Sequence, residues 1–442
     1  MQSLNKLAKK YTNMRTFLNK LSLASCLGII AVLIFSFILP LYGQHVEQDG
    51  LFAGVSKINI TPQTPIPMSG YGARKDPFKG VHDSIYVTAT VFSDGIHKAA
   101  VITSDVLYFY YPFYDETVKK IEEVTGIKKE YVLLSSNHSH GGPVTRVYEH
   151  ETAPQIEAYV NEVQNKIVKA VAQAVRNLQP AKIGMGKGIC KMNINRRARR
   201  ADGSIGLGRN PDGPCDHDVS VVRIDSRDGE PIAVMVNWPC HGTITGPDNY
   251  QITGDWPGAV ARYVEKAVGH GVIVPVTAGA SADINPIYGP NSKFGDIEAT
   301  GMLLGEEVVR VFNTIETFPL GIIDARIKTV TAEGKKKQES RMPGQVLEPD
   351  QDVPVNLAVL KVGDIIFAGI SGELMTEIGM NIKKESPFKN TIVVTHCNGH
   401  CGYLCTDNAY PEGGYEIQVT HTMPGTEGLI EENFKNMIYT LK

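Results

Sequence analysis

The chain has almost no charge imbalance. Across 442 residues, 44 Lys and Arg stand against 47 Asp and Glu, a formal net charge of -3, which gives no electrostatic case for nucleic acid. No Gly-x-Gly-x-x-Gly or phosphate loop follows an apolar run, so a nucleotide cofactor is unsupported. Between Leu51 and Lys442 there is no internal repeat and no low-complexity linker. Cysteines number 7, and none forms the short Cys-x-x-Cys knuckle of structural zinc sites. What remains is a soluble globular composition, 42% hydrophobic and 21% charged. The length suits one large domain or two or three ordinary ones, with an ample core.

Residues 1–50 are a different material. Lys6, Lys9, Lys10, Arg15 and Lys20 precede an uncharged apolar stretch from Leu21 to about Gly43, the layout of an export signal or N-terminal signal anchor. The stretch is just long enough to span a bilayer. Positive charge on its N-terminal side keeps that end cytoplasmic. Residues 51–442 are therefore expected to be exported: periplasmic, secreted, or held to the membrane through this segment. In an oxidising compartment the six cysteines after Cys26 read as disulfides or buried free thiols, with Cys190 to Cys215 closing a plausible loop.

Periodicity defines the elements. Ile85 to Phe92 alternates and Ala99 to Val106 is nearly continuous, so both are strands. Pro154 opens an amphipathic helix that Pro180 ends. Val219 to Ile224, Ile232 to Trp238 and Val272 to Thr277 are further strands. Pro257 to Val268 and Ile297 to Thr314 are helices. Gly363-Asp364 turns a hairpin between Ala358–Val362 and Ile365–Ile370. A strand from Thr391 to Thr395 and a helix from Glu427 to Tyr439 complete the chain. The pattern predicts an α/β fold: one large catalytic domain with a mixed β-sheet and a site at its strand ends. Lys335 to Lys337 reads as a solvated turn.

Four apolar runs end in a polar residue beside glycine. Tyr131 to Leu134 leads to Asn137-His138-Ser139-His140-Gly141-Gly142, and Val234 to Trp238 leads to His241-Gly242. Ile365 to Ile370 leads to Gly372-Glu373, with Glu373 expected to start a helix, and Thr391 to Thr395 leads through His396 and His400 to Tyr403. Strand alternation would put His138 and His140 on one face. Two imidazoles and a carboxylate are the usual protein set for a catalytic zinc. Each residue also has a structural reading: loop histidines bonded to backbone, His241 in the core, Glu373 favoured by a helix dipole.

Taken in order, these segments resemble the neutral/alkaline, non-lysosomal ceramidases. Leu134-Ser135-Ser136-Asn137-His138-Ser139-His140-Gly141-Gly142-Pro143 is similar to that family's Ser-Ser-Thr-His-Thr-His-Ser-Gly-Pro. Asn193-Ile194-Asn195-Arg196 matches its Asn-Ile-Asn-Arg, and Val236-Asn237-Trp238 before His241 resembles its Asn-Trp…His-Pro. Ser371-Gly372-Glu373-Leu374-Met375-Thr376 resembles Gly-Glu-Phe-Thr. Cys397-Asn398, Tyr403, Thr406 and Tyr415-Glu416-Ile417-Gln418 resemble the region that follows, and Ala53 to Thr61 with Met68 to Tyr71 fits the opening.

The resemblance implies one zinc ion held by His138, His241, Glu373 and Tyr403, whose bound water attacks the amide of an N-acyl sphingoid base. It implies that His140 and Arg196 hold the oxyanion or substrate hydroxyls, and that Arg196 and Tyr415 bind a ceramide-like small-molecule or lipid substrate. Two departures stand out. Asn285 replaces the family's serine in Ala282-Asp283-Ile284-Asn285-Pro286, so any catalytic role it has is hydrogen bonding and not nucleophilic attack. The run Arg197, Arg199, Arg200 replaces Ser-Pro and could meet an anionic or polyhydroxylated substrate. With residues 51–442 taken up by the catalytic domain, the family's immunoglobulin-like domain is not expected within this sequence. Alternatives are a carbohydrate esterase or deacylase on the same fold, or a non-catalytic metal-containing binding module.

Overall fold

A computed structural model describes residues 50–147, 153–291, 293–319 and 321–441. Two mixed sheets pack face to face with helices outside them. The larger runs, in spatial order, Val276–Ala278, Pro231–Trp238, Asp218–Ser226, Gln179–Ile189, Phe52–Asn59, Tyr86–Ser93, Lys98–Ser104, Val132–Leu134. The smaller runs Ile323–Lys335, Pro349–Val362, Ile365–Ile370, Asn390–Val394.

The strand at Lys98–Ser104 shows why its sequence is apolar almost throughout. Ala100 and Ile102 join the core under the helices, while Ala99 and Val101 join the core between the sheets. A strand covered on both faces loses the polar alternation of a half-exposed one. The helix Pro154–Arg176 lies over Phe52–Asn59 and Tyr86–Ser93. Its approach is closest at Gly54, where a Cβ atom would sit 2.2 Å from the Ala174 carbonyl oxygen. Helices Asp255–Val268 and Phe294–Phe312 cover the other half of the large sheet, and Thr376–Glu385 with Thr426–Tyr439 cover the small one.

Most predicted elements are present, with differences that have local causes. The hairpin around Gly363-Asp364 pairs Val362 with Ile365, and its first strand extends back to Pro349. Val272 to Thr277 is shorter than expected, a ladder only over Val276–Ala278, because Pro275 has no N–H to give it. Glu373 does not start a helix. It lies in a two-residue strand, Glu373–Leu374, and the helix begins at Thr376. Lys335 is no solvated turn: it closes the strand Ile323–Lys335 fully buried, its backbone N–H bonded to His421 and its Nζ to the Lys336 carbonyl. All six cysteines after Cys26 are free thiols, so the Cys190–Cys215 bridge is not formed.

The arrangement positions a site. Each sheet contains parallel neighbours: Lys98–Ser104 with Val132–Leu134, Pro231–Trp238 with Val276–Ala278, and Ile365–Ile370 with Asn390–Val394. Parallel pairs bring two carboxyl ends together, and ligands in open α/β sheets bind beyond such ends. Among the described residues no helix is long and apolar enough to cross a membrane. The apolar stretch from Leu21 to Gly43, on which the export and membrane expectations rest, lies outside them.

Candidate metal centre

The loop after Val132–Leu134 is pinned before it delivers its histidines. Ser135 forms a bridge to Cys397, the Asn137 N–H bonds the Ser104 carbonyl, and the His140 N–H bonds Gly242 at 2.9 Å. His138 itself adopts φ 61°, the left-handed region that few non-glycine residues occupy, histidine more readily than most. Simple strand alternation therefore does not bring His138 and His140 together. A turned loop does, and their Nε2 atoms lie 3.4 Å apart.

Two imidazoles are anchored from behind. His138 Nδ1 faces the Leu107 carbonyl at 3.1 Å, and His241 Nδ1 faces the carbonyls of Ser281 at 2.6 Å and Ile284 at 3.1 Å. A carbonyl can only accept, so each Nδ1 carries the proton and each Nε2 presents a lone pair inward. Both lone pairs meet one carboxylate oxygen, Glu373 Oε2, at 3.4 Å from each Nε2. That oxygen is buried without a hydrogen-bond donor. His138, His140 and His241 offer nitrogens all within 4.8 Å of one another, so the group could hold a metal ion. Its donor chemistry, imidazole nitrogen with carboxylate oxygen and carbonyls on the outer nitrogens, fits a catalytic divalent cation.

Tyr403 arrives by a different route. The short strands Glu373–Leu374 and Tyr403–Leu404 run parallel, with Glu373 opposite Tyr403. Arg196 Nη2 donates to the Tyr403 hydroxyl at 3.1 Å, while its Nη1 lies 3.2 Å from His241 Nε2 and 3.3 Å from Asn285 Oδ1. Behind it, Arg196 Nε donates to Glu416 Oε1 at 2.8 Å. Tyr415 packs edge-on against Tyr403, ring centroids 5.7 Å apart. All eight residues predicted from the sequence thus belong to one connected centre.

Electrostatics set protonation states suited to it. Burial lowers the His140 imidazole well below its usual range, with His138 and His241 adding to the effect. Burial, then Arg196, takes His241 down to about 4. Burial would raise the Glu373 carboxyl, but His138 and His241 hold it well below the usual carboxylate range. Near neutrality the centre therefore offers neutral imidazoles at His140 and His241 and a carboxylate at Glu373. Burial opposes the Arg196 charge, yet Tyr403 and Glu416 outweigh it and hold the guanidinium protonated.

Several partners escaped the sequence reading. His396 stacks on His138, centroids 3.9 Å apart and 8° from parallel, and His400 stacks on Tyr108 at 3.8 Å and 10°. Both lie in a segment already singled out for its apolar run, at an i, i+4 spacing visible in the sequence. Glu416 was missed as the ion partner of Arg196 and Arg197. Arg197 is further paired with Glu412, as is Arg199, so these two are engaged by the chain's own carboxylates. Arg197 is buried by this pairing, while Arg199 stays exposed, and both border a separate cavity.

In front of the centre lies a cavity of about 350 Å³, bordered by Met68, Leu107, Tyr71, Tyr108, Tyr110 and Val144. A second cavity, also 350 Å³, shares Tyr110, Thr145 and Arg146 with it and adds Pro112, Phe113, Val147 and Val160.

Comparison with known proteins gives this geometry a family. Residues 52–284 match the neutral/alkaline non-lysosomal ceramidase N-terminal domain. The chain belongs to this family. Curated relatives include neutral ceramidase B of Dictyostelium discoideum, 25% identical over 258 residues, covering 54% of this chain and 35% of the relative. Neutral ceramidase A of the same organism is 25% identical over 230 residues, covering 48% and 31%. The matched part thus spans about a third of those relatives. A solved ceramidase complexed with C2 superposes with TM-score 0.76 at 17% identity, covering 89% of this chain and 75% of that one. Neutral ceramidase from Pseudomonas aeruginosa gives 0.75 at 17%, covering 89% and 74%. The ceramidase fold therefore extends over most of the chain.

Proposed function

We propose that this ceramidase-family chain is an exported zinc hydrolase that cleaves the amide of an N-acyl sphingoid base or a related N-acyl compound. One observation carries the reading: two imidazoles anchored at Nδ1 converge on a donorless oxygen of Glu373 at the wall of a cavity. His138, His241, Glu373 and Tyr403 would hold the ion. His140 is set apart because its Nδ1 has no hydrogen-bond partner, which leaves the ring without an imposed tautomer. When bound, zinc supplies a water acidified toward neutrality and a Lewis acid for the acyl carbonyl.

The chain's own groups do the rest. Hydrolysis breaks the acyl C–N bond, places the oxygen of water on the acyl carbon and returns a proton to the departing amine. Arg196, rigid between Glu416, Tyr403 and Asn285, can aim N–H groups at the developing oxyanion, and neutral His140 can donate another. Such donors are worth about 3 kcal/mol each when fixed beforehand. Asn285, with Oδ1 turned to Arg196, orients that guanidinium. Tyr415 edges the substrate side.

The second cavity, walled by Pro112, Phe113, Val147 and Val160, suits an acyl or alkyl chain, while the first is more polar, with Ser69, Thr145 and Arg146 beside its tyrosines. Asn285 in place of the serine keeps esterase or deacylase action on a glycan as the competing outcome. Export to the periplasm or beyond, with or without a membrane tether, is supported by the lysines and apolar run before Gly43.

The test pairs metal analysis with substrates. Purified protein should carry about one zinc per chain and release fatty acid from fluorescent ceramide, with no turnover on an acetylated-sugar panel run beside it. His138→Ala and His241→Ala should lose both metal and turnover. A His138→Ala protein with undiminished turnover would refute the mechanism, and turnover confined to the sugar panel would transfer the chain to the esterase reading.

A further inference from the structure

Glu373 divides its oxygens. Oε2 faces His138 and His241, whereas Oε1 faces a third imidazole, His400, with Nε2 3.9 Å away. Both side chains are almost fully buried, 8% and 7% exposed. His400 Nδ1 has no hydrogen-bond partner, so no backbone carbonyl fixes its tautomer, and Nε2 is free to present a proton to Glu373.

The ring is held there by its surroundings. One face stacks on Tyr108 at 3.8 Å, and Tyr110 meets it edge-on at 5.9 Å and 90°. The backbone leading to it is fixed across both sheets. The Asn398 N–H bonds Leu134, its side chain bonds Leu134 and Val132, and the N–H groups of Cys397 and Cys401 bond Ile370 and Ser371. Non-glycine residues His396 and Asn398 adopt φ 51° and 62° in this segment, conformations that persist only where the surroundings determine them. A hydrophobic residue at position 400 would fill the same slot at less cost than a buried imidazole with an unpaired nitrogen. Packing alone therefore does not account for an imidazole at this position.

We propose that His400 is a positioning residue for the metal centre: its Nε2, in polar contact with Glu373 Oε1 at 3.9 Å, orients the carboxylate so that Oε2 is presented between His138 and His241. This rests on the metal-hydrolase reading above. A ligating carboxylate left without an outer partner can rotate, and losing such a partner typically weakens metal binding about 10–100-fold. His396, stacked on His138, acts on that ring's plane in the same way without touching the carboxylate.

The test uses the full exported chain and metal alone as the probe. His400→Phe keeps the stack on Tyr108 and removes the donor, and His400→Gln restores a donor. Zinc affinity is measured by competition with a chromogenic chelator, and coordination by the visible absorption of the cobalt-loaded protein. The expected result is a 10–100-fold loss of affinity and an altered cobalt spectrum in His400→Phe. Substantial recovery is expected in His400→Gln, with neither metal-free variant melting below the metal-free wild type. Wild-type affinity in His400→Phe overturns the proposal while leaving the metal centre intact. So does a weakened metal-free fold with no rescue by Gln, which would make the ring a packing element. A wild-type protein that takes up no metal overturns both this proposal and the function it rests on.

Discussion

Glu416 is the buried anion on which two buried cations depend, and its removal should be felt throughout the centre. Its carboxylate accepts from Arg196 Nε at 2.8 Å and Arg197 Nη1 at 3.0 Å, with side-chain exposures of 1%, 5% and 8% for the three residues. Deleting one partner of a buried ion pair costs about 3–5 kcal/mol, because the other charge is left desolvated. Arg196 keeps Tyr403 and Asn285, and Arg197 keeps Glu412 and the Gly413 carbonyl, which places Glu416→Ala near the lower figure, about 3 kcal/mol. With an unfolding entropy near 2 cal/mol/K per residue, a chain of this size loses roughly 1 °C per kcal/mol. Calorimetry should therefore show Tm about 3 °C lower at neutral pH.

The pH dependence supplies an independent check. Burial would raise the Glu416 carboxyl, but Arg196 and Arg197 outweigh it and hold it below its ordinary value of 4.5. A depressed folded value gives stability that is present above the unfolded value and lost as pH falls through the folded one. The gap between wild type and Glu416→Ala must then narrow as the solution is acidified below about 4.5. Turnover should fall as well, since Arg196 loses the partner that orients it. An unchanged Tm at pH 7, or a gap that widens in acid, would refute the reasoning.

Gly54→Ala should destabilise by about 3 kcal/mol, the upper end for overpacking, because its Cβ would meet the backbone oxygen of Ala174 at 2.2 Å. Urea unfolding should show a lower midpoint at constant slope, and an unmoved midpoint would mean that the helix can lift away. Asp283, 4% exposed, has its carboxyl pushed up by burial to about 6. A raised folded value gives stability that is present at low pH and lost as pH rises toward 6, at most about 3 kcal/mol. Asp283→Asn should remove that loss between pH 4 and 7, and an unchanged slope in denaturant titrations at the two ends would count against it.

Much of the fold was legible because burial leaves a periodic trace. The two-faced strand at Lys98–Ser104, the stripe on Pro154–Arg176 and the Gly363-Asp364 turn all follow from side-chain alternation or backbone freedom. Lys335 was misread for the complementary reason. A lysine beside two others looks solvated, and only the distant segment around His421, more than eighty residues on, encloses it. The carboxylate partners of Arg197 were hidden likewise, since Glu412 and Glu416 reach it only through the folding of the chain's last part.

The site divides along the same line. Its inward donors are side chains, so His138, His241 and Glu373 could be found at the ends of apolar runs. What makes two of those imidazoles ligand-competent is carried by Leu107 O and Ser281 O, and every residue type possesses a carbonyl. No substitution at Leu107 or Ser281 would announce itself as a change of metal chemistry, although a shift of either backbone would release Nδ1 and let the ring adopt the other tautomer. The same holds for the left-handed φ of His138, a torsion that the letters His-Ser-His do not encode. Donors chosen by side chain were therefore open to sequence reasoning, while the tautomers that arm them are a property of backbone placement.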